Sequence, residues 1–153
     1  MIKIDVEVNS KIWFTKIKNP KRYFSQRIRK IVKIYPFICL KNSHLTVLLT
    51  NSSMIKKLNR KFRKKDQDTD ILSFPFFTPK DIKLYRKKNI YIGDIAICYK
   101  IIKNRSLKTN FLYEFDKTWI HGLLHLMGYD HIKNKDYLKM KKLEKKIINL
   151  IKV

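Results

Sequence analysis

The stretch His121-Gly122-Leu123-Leu124-His125-Leu126-Met127-Gly128-Tyr129-Asp130-His131 carries three of the chain's four histidines. His121 and His125 are four apart, so on a helix their rings stack on one face, with Cβ atoms about 5–6 Å from each other. From Trp119 to Met127 every residue except those two histidines and Gly122 is strongly apolar. That pattern predicts a helix buried nearly all round, and two polar rings in such a place need a partner. Gly128 can take the left-handed conformation that ends a helix, so the chain turns back and brings His131 to the same point. Three neutral imidazoles suit Zn²⁺ ahead of other divalent ions and leave a fourth tetrahedral position open, the mark of a catalytic site. The competing reading, histidines satisfied by ordinary hydrogen bonds, fits the apolar surroundings less well.

Outward from this helix, the chain reads as a mixture of short strands and helices. Ile2, Ile4, Val6 and Val8 alternate with Lys3, Asp5 and Glu7, a half-buried strand. Pro20 fits the start of a helix with Phe24, Ile28, Ile31 and Val32 at helical spacing, and Pro36 fits its end. Leu45 to Thr50 is a β-rich run. Ser52 is placed to cap a helix whose apolar stripe is Met54, Ile55, Leu58 and Phe62. Its polar side is wholly basic: Lys56, Lys57, Arg60, Lys61, Arg63, Lys64 and Lys65. Ile71 to Phe74 is a short strand stopped by Pro75, and Tyr91 to Cys98 is another, interrupted by Gly93-Asp94. Two helices follow, a long aromatic-rich one up to Met127 and one from about Asn134 to the end, with Leu143, Ile147, Leu150 and Ile151 as its core face. Without a regular βαβ alternation the expected class is α+β, a small sheet of about four strands packed with helices, the metal site on a buried helix and the turn after it.

Length and composition bound the rest. At 153 residues the chain fits one domain, residues 1–153, with 44% hydrophobic residues and a globular composition. No apolar run approaches the roughly 20 residues of a membrane span, and the start alternates charge with apolar residues where a signal peptide is apolar throughout. A soluble, cytoplasmic protein is expected. Cys39 and Cys98 lack Cys-x-x-Cys spacing and read as buried small hydrophobes rather than a disulfide or a metal site. The net charge is +24, from 36 Lys and Arg against 12 Asp and Glu, so a polyanion is the first partner to consider. With 29 Lys, 22 Ile and 10 Asn but one Ala, however, AT-biased codon usage can supply much of that excess.

The spacing H-x-x-x-H-x-x-G-x-x-H is that of the metzincin proteases, but Gly122 stands where those enzymes carry a general-base Glu. A protease-like hydrolase would need a carboxylate from elsewhere, with Asp94 or Asp130 as candidates. His121 to His131 instead resembles the H-G-x-L-H-L-x-G-Y-D-H signature of the YbeY-type endoribonucleases, also described as rRNA maturation factors. Leu58-Asn59-Arg60-Lys61-Phe62-Arg63 with Thr69-Asp70-Ile71-Leu72-Ser73-Phe74-Pro75, and Ile92-Gly93-Asp94-Ile95 with Ile97-Cys98, resemble two further blocks of that family in the same order. The resemblance covers about Leu45 to Glu144. It departs at Lys64 and Asp68, where members often have Gly and Pro, and at Lys117, where some carry another His.

The resemblance implies a single-strand-specific, zinc-dependent endoribonuclease acting on 16S rRNA 3′-end maturation and ribosome quality control. Single-stranded RNA, rRNA and the small ribosomal subunit are its implied partners, with no membrane and no small-molecule organic cofactor. The expected metal ligands are His121, His125 and His131. Arg63, by motif position, is the expected catalytic residue, its guanidinium neutralising phosphate charge in the transition state. Asp130 can orient an imidazole, assist a proton transfer or cap the Gly128-Tyr129 turn, Asp94 can hold a turn or buttress the metal helix, and His44 reads as structural. Phe74, Phe76 and Phe77 read as core more readily than as base-stacking rings. A zinc-containing RNA-binding assembly factor without hydrolytic activity is the alternative from another class.

Overall fold

The alternation at the start of the chain becomes strand β1 (Lys3–Val8) in a computed structural model that describes residues 2–35, 42–84 and 89–152. Ile4, Val6 and Val8 pack on the main core, and Ile2 is buried. A 3-10 turn, Lys11–Thr15, then sinks Trp13 into that core, where its indole N–H donates to the Thr50 carbonyl at 2.9 Å. Helix α1 (Pro20–Ile34) starts where expected, with Pro20 at a position that needs no N–H and the Asn19 side chain accepting from the Arg22 N–H at 3.0 Å. It ends at Ile34. Pro36, the expected stop, lies outside the described residues, as does Cys39.

Strand β2 (His44–Thr50) runs parallel to β1, so β1, α1 and β2 form a crossover unit. Helix α2 (Ser52–Arg63) follows, one residue out of step with expectation at its cap: Asn51, not Ser52, is the N-cap, its side chain accepting from the Met54 N–H at 3.0 Å. Asn51 is the extended residue, whereas Ser52 already has helical geometry and cannot reach back over the first turn. Strand β3 (Ile71–Pro75), a short helix α3 (Pro79–Leu84) and strand β4 (Tyr91–Cys98) come next. The single long helix expected before Met127 is broken. Helix α4 (Tyr99–Arg105) and a 3-10 turn at Ser106–Lys108 precede Asn110, whose side chain accepts from the Leu112 and Tyr113 N–H groups and so starts α5 (Phe111–Leu126) afresh. Helix α6 (Asn134–Ile151) is the last element.

The strands are ordered β1-β2-β4-β3, with the first three parallel and β3 antiparallel to β4. The α+β class holds, with a mixed sheet whose parallel core the uneven spacing of elements does not reveal. Residues alternate across the sheet. Leu45, Val47, Leu49, Ile95 and Ile97 point to the face covered by α1 and α5, with α6 packed on both helices. On the other face Leu72, Ala96 and Cys98 are buried under Ile55 of α2, with Leu58 at the rim. Cys98 is a free, buried thiol, as expected. Phe62, expected in the apolar stripe, is instead 57% exposed near the helix end, where its ring meets the edge of Phe74, at 5.2 Å between centroids, and the Lys61 ammonium.

Two constraints fix α5 relative to the sheet. The first is polar: Asp116 accepts from Arg27 Nε at 3.0 and 3.2 Å, from the Tyr23 hydroxyl at 2.8 Å and from Trp119 Nε1 at 2.8 Å, all in a buried setting between α1 and α5. Burial raises the Asp116 carboxyl above its usual range although every one of those donors pulls it back down. A buried pair of this kind contributes orientation more reliably than stability, and here it sets the rotation of α5 about its own axis. The second constraint is steric. A register shift in β4 places Gly93 at φ +136, and a Cβ there would lie 2.2 Å from the Phe74 carbonyl oxygen and 3.0 Å from Leu126 Cδ2 of α5. We expect Gly93→Ala to lower the unfolding free energy by about 2–4 kcal/mol, combining backbone strain with overpacking, as read from urea denaturation at neutral pH.

Candidate metal centre

The end of α5 presents His121 and His125 side by side, with their Nε2 atoms 3.0 Å apart. At Gly128 the backbone takes φ +87, and the N–H groups of Gly128 and Tyr129 donate to the His125 and Leu124 carbonyls, both at 3.0 Å. A Cβ at Gly128 would sit 3.1 Å from both Ile82 and Pro79, so the turn is tucked against α3 as well as bent. The turn brings the His131 ring to 4.8 Å from that of His125 and 5.5 Å from that of His121, centroid to centroid. One nitrogen from each of the three rings lies within 4.8 Å of the others. This is the convergence the spacing predicts.

Hydrogen bonds fix which nitrogen of each helix histidine is free. His121 Nδ1 contacts Glu144 Oε1 of α6 at 2.5 Å, and His125 Nδ1 contacts the Tyr129 carbonyl at 3.0 Å. A carboxylate and a carbonyl only accept, so each Nδ1 carries the proton and each Nε2 keeps its lone pair. Two lone pairs facing each other at 3.0 Å repel unless a cation lies between them. For comparison, metal–nitrogen bonds of about 2.0–2.1 Å in a tetrahedron place neighbouring nitrogens about 3.3 Å apart. The donor set fits a metal ion, and these three histidines could hold one. Burial lowers the pKa of His125, and the neighbouring His121 and His131 lower it further, which keeps the ring neutral and able to ligate.

Glu144 is the residue that sequence reasoning misses. It stands on α6 between Met140 and Ile147, both buried, so a lone acid on an apolar face is the available signal. Its bond to His121 is the carboxylate–imidazole support that orients metal ligands. Asp130 accepts from the His131 backbone N–H at 2.6 Å and lies 3.5 Å from His131 Nδ1.

Gly122 explains why no general-base carboxylate stands between the histidines. A Cβ there would lie 2.5 Å from Ile71 Cδ1, 3.1 Å from Ser73 Oγ and 3.2 Å from Ile95 Cδ1, so α5 lies close against the sheet and a larger residue would have to displace these side-chain ends. The same Ser73 accepts, through its carbonyl, from the exposed Arg63 guanidinium at 3.3 Å. Strand β3 thus bridges the metal helix and the end of α2, and Arg63 bonds to the strand rather than to a histidine. The loop after α2, where Lys64 is left-handed at φ 59, is tied down: Asn59 donates to the Gln67 carbonyl at 2.9 Å, Arg60 pairs with Asp66, and Arg105 pairs with Asp70 at 2.6 Å.

Other candidates fall away from the centre. Asp94 is exposed on the sheet face opposite α5 and takes a short hydrogen bond from the Tyr91 hydroxyl, so it does not buttress the metal helix. His44 packs beside Tyr91, with ring centroids 5.0 Å apart. Lys117 pairs with Glu114 at 3.2 Å. Phe74 and Phe77 pack on the cores as expected, whereas Phe76 is exposed.

Comparison with known proteins identifies the family. A family model described as Endoribonuclease YbeY matches residues 8–152. The chain is 46% identical over 155 residues to Endoribonuclease YbeY of Pelagibacter ubique (strain HTCC1062), covering 99% of this chain and 97% of the relative. It is 41% identical over 134 residues to Endoribonuclease YbeY of Buchnera aphidicola subsp. Acyrthosiphon pisum, covering 84% and 78%. Among solved structures, the solution structure of TM1509 from Thermotoga maritima is similar with a TM-score of 0.61 and 27% identity, over 97% of this chain and 87% of that one.

A titration follows from the His125 surroundings. Its value lies below the ordinary 6.5, so in metal-free protein the neutral ring contributes stability that is complete above pH 6.5 and is lost as the pH falls through the depressed value. NMR titration of the imidazole resonances should show His125 protonating below 6.5.

Proposed function

The chain belongs to the family of YbeY endoribonucleases, enzymes that hydrolyse RNA internally, and we propose that its single domain, residues 1–153, works as a zinc enzyme on single-stranded rRNA. In this reading His121, His125 and His131 hold the ion, Glu144 orients His121, and the Tyr129 carbonyl orients His125. The observation that carries it is the pair of apposed Nε2 lone pairs, each aimed by a fixed Nδ1 hydrogen bond. Zinc supplies a Lewis acid for phosphodiester hydrolysis.

The chain's own residues supply the rest. Arg63, at the end of α2, neutralises phosphate charge as it builds up in the transition state; its guanidinium carries further N–H groups besides the one given to Ser73. The exposed lysines of α2 track the backbone of the polyanion, so RNA binding weakens steeply with salt. Gly122 stands where a metzincin-type peptide hydrolysis requires a carboxylate, which favours RNA over peptide as substrate. We place the activity at the 3′ end of 16S rRNA, on the small ribosomal subunit, in the cytoplasm; among the described residues no helix is long and apolar enough to cross a membrane.

The test pairs metal analysis with cleavage of single-stranded RNA. Arg63→Ala should lower kcat/KM about 10²–10³-fold with zinc content unchanged, and retained cleavage would discard its role. Glu144→Gln should weaken zinc binding about 10–100-fold. His121→Ala should lose metal and activity together. A zinc-free yet fully active His121→Ala protein would overturn the assignment.

A further inference from the structure

A cleft of about 210 Å³ opens beside the histidines, lined by His121, His131, Tyr137, Met140, Lys141 and Glu144. Met140 is its buried floor, and Glu144 is committed to His121. That leaves Tyr137 and Lys141, one turn apart on α6, as the polar groups without a task. They are not independent. The Lys141 ammonium donates to the Tyr137 hydroxyl at 2.7 Å and lies 5.1 Å from the ring centroid, so this lysine is held over the cleft. Among the described residues it forms no ion pair, and two of its three N–H groups remain for another acceptor.

We propose that Lys141, oriented by Tyr137, is a substrate-binding residue of this centre and takes a phosphate oxygen of the RNA beside the histidines. A fixed ammonium at the mouth of a site that handles a polyanion is a phosphate contact by chemistry. Tyr137 supports it in two ways: it accepts from the ammonium, which fixes a flexible side chain in advance, and its own O–H remains free to donate to the same phosphate. The inference rests on the endoribonuclease reading, and the experiment below separates the two.

Equilibrium binding of a single-stranded RNA oligonucleotide to metal-stripped protein is measured across a potassium chloride series, and kcat, KM and zinc content are measured on zinc-loaded protein. Lys141→Ala should keep its zinc, raise KM about five- to tenfold and reduce the slope of log affinity against log salt by about 0.7, the share of one lost phosphate contact on a single strand. Lys141→Arg should restore most of the loss. Tyr137→Phe, which frees the ammonium and removes the hydroxyl donor but keeps the charge, should give a smaller rise in KM. Lys139, about 200° around the same helix from Lys141 and exposed, serves as the control for bulk charge. If Lys141→Ala and Lys139→Ala match in both KM and salt slope, the proposal is overturned. If wild-type protein binds RNA but does not cleave it, the enzymatic reading fails while the salt slopes still decide the role of Lys141.

Discussion

Helix α5 lies so close against the sheet that a Cβ at position 122 would press on Ile71, Ser73 and Ile95, and the placement of the three histidines depends on that approach. The chain has three glycines, and all three surround this helix: Gly93 faces Leu126, Gly122 meets Ile71, Ser73 and Ile95, and Gly128 ends the helix against Pro79 and Ile82. Gly93 and Gly128 also have positive φ, +136 and +87, which side chains rarely adopt. With Gly122 on the sheet side, the adjacent His121 turns towards α6, where Glu144 receives it. The Asp116 cluster then prevents the helix from rolling. Translation and rotation are both fixed, so the imidazoles are aimed before any ligand arrives, which is what a catalytic centre needs from its scaffold.

Charge acts over a longer range and with less precision. Much of the +24 is a property of composition, and most lysines extend into water where salt screens them. Two places differ. The end of α2 carries Arg60, Lys61 and Arg63 in its last turn, where cations complement the helix dipole, and Arg63 is hydrogen bonded to the strand that touches the metal helix. On α6, Lys141 is held by Tyr137 at the mouth of the site. These two anchored cations lie on elements adjoining the histidines, where the proposed RNA path would run.

What could be read from the sequence is what is local. The His121, His125 and His131 spacing needed only helix periodicity and a glycine stop, and both hold. Glu144 was not legible because its partner is 23 positions away, and one acid on an apolar helix face has many possible meanings. The break before α5 was hidden because Tyr99, Ile102, Phe111, Phe115 and Trp119 are compatible with one continuous helix; only the capping Asn110 marks the interruption. The parallel pairing of β1, β2 and β4 is set by a crossover and by strand order, neither of which leaves a periodic trace. Arg63 stands apart from six other basic residues on its helix side and the loop after it only through family resemblance, and its link to Ser73 joins α2 to β3 across a turn that no spacing rule describes.

X-ray absorption at the zinc edge of zinc-loaded protein tests the open, three-histidine metal centre most directly. Three nitrogen neighbours at about 2.0–2.1 Å with imidazole scattering, completed by oxygen that exchanges with solvent, is the predicted first shell. A fourth protein ligand closing the coordination sphere, or loss of the imidazole signature, would contradict it.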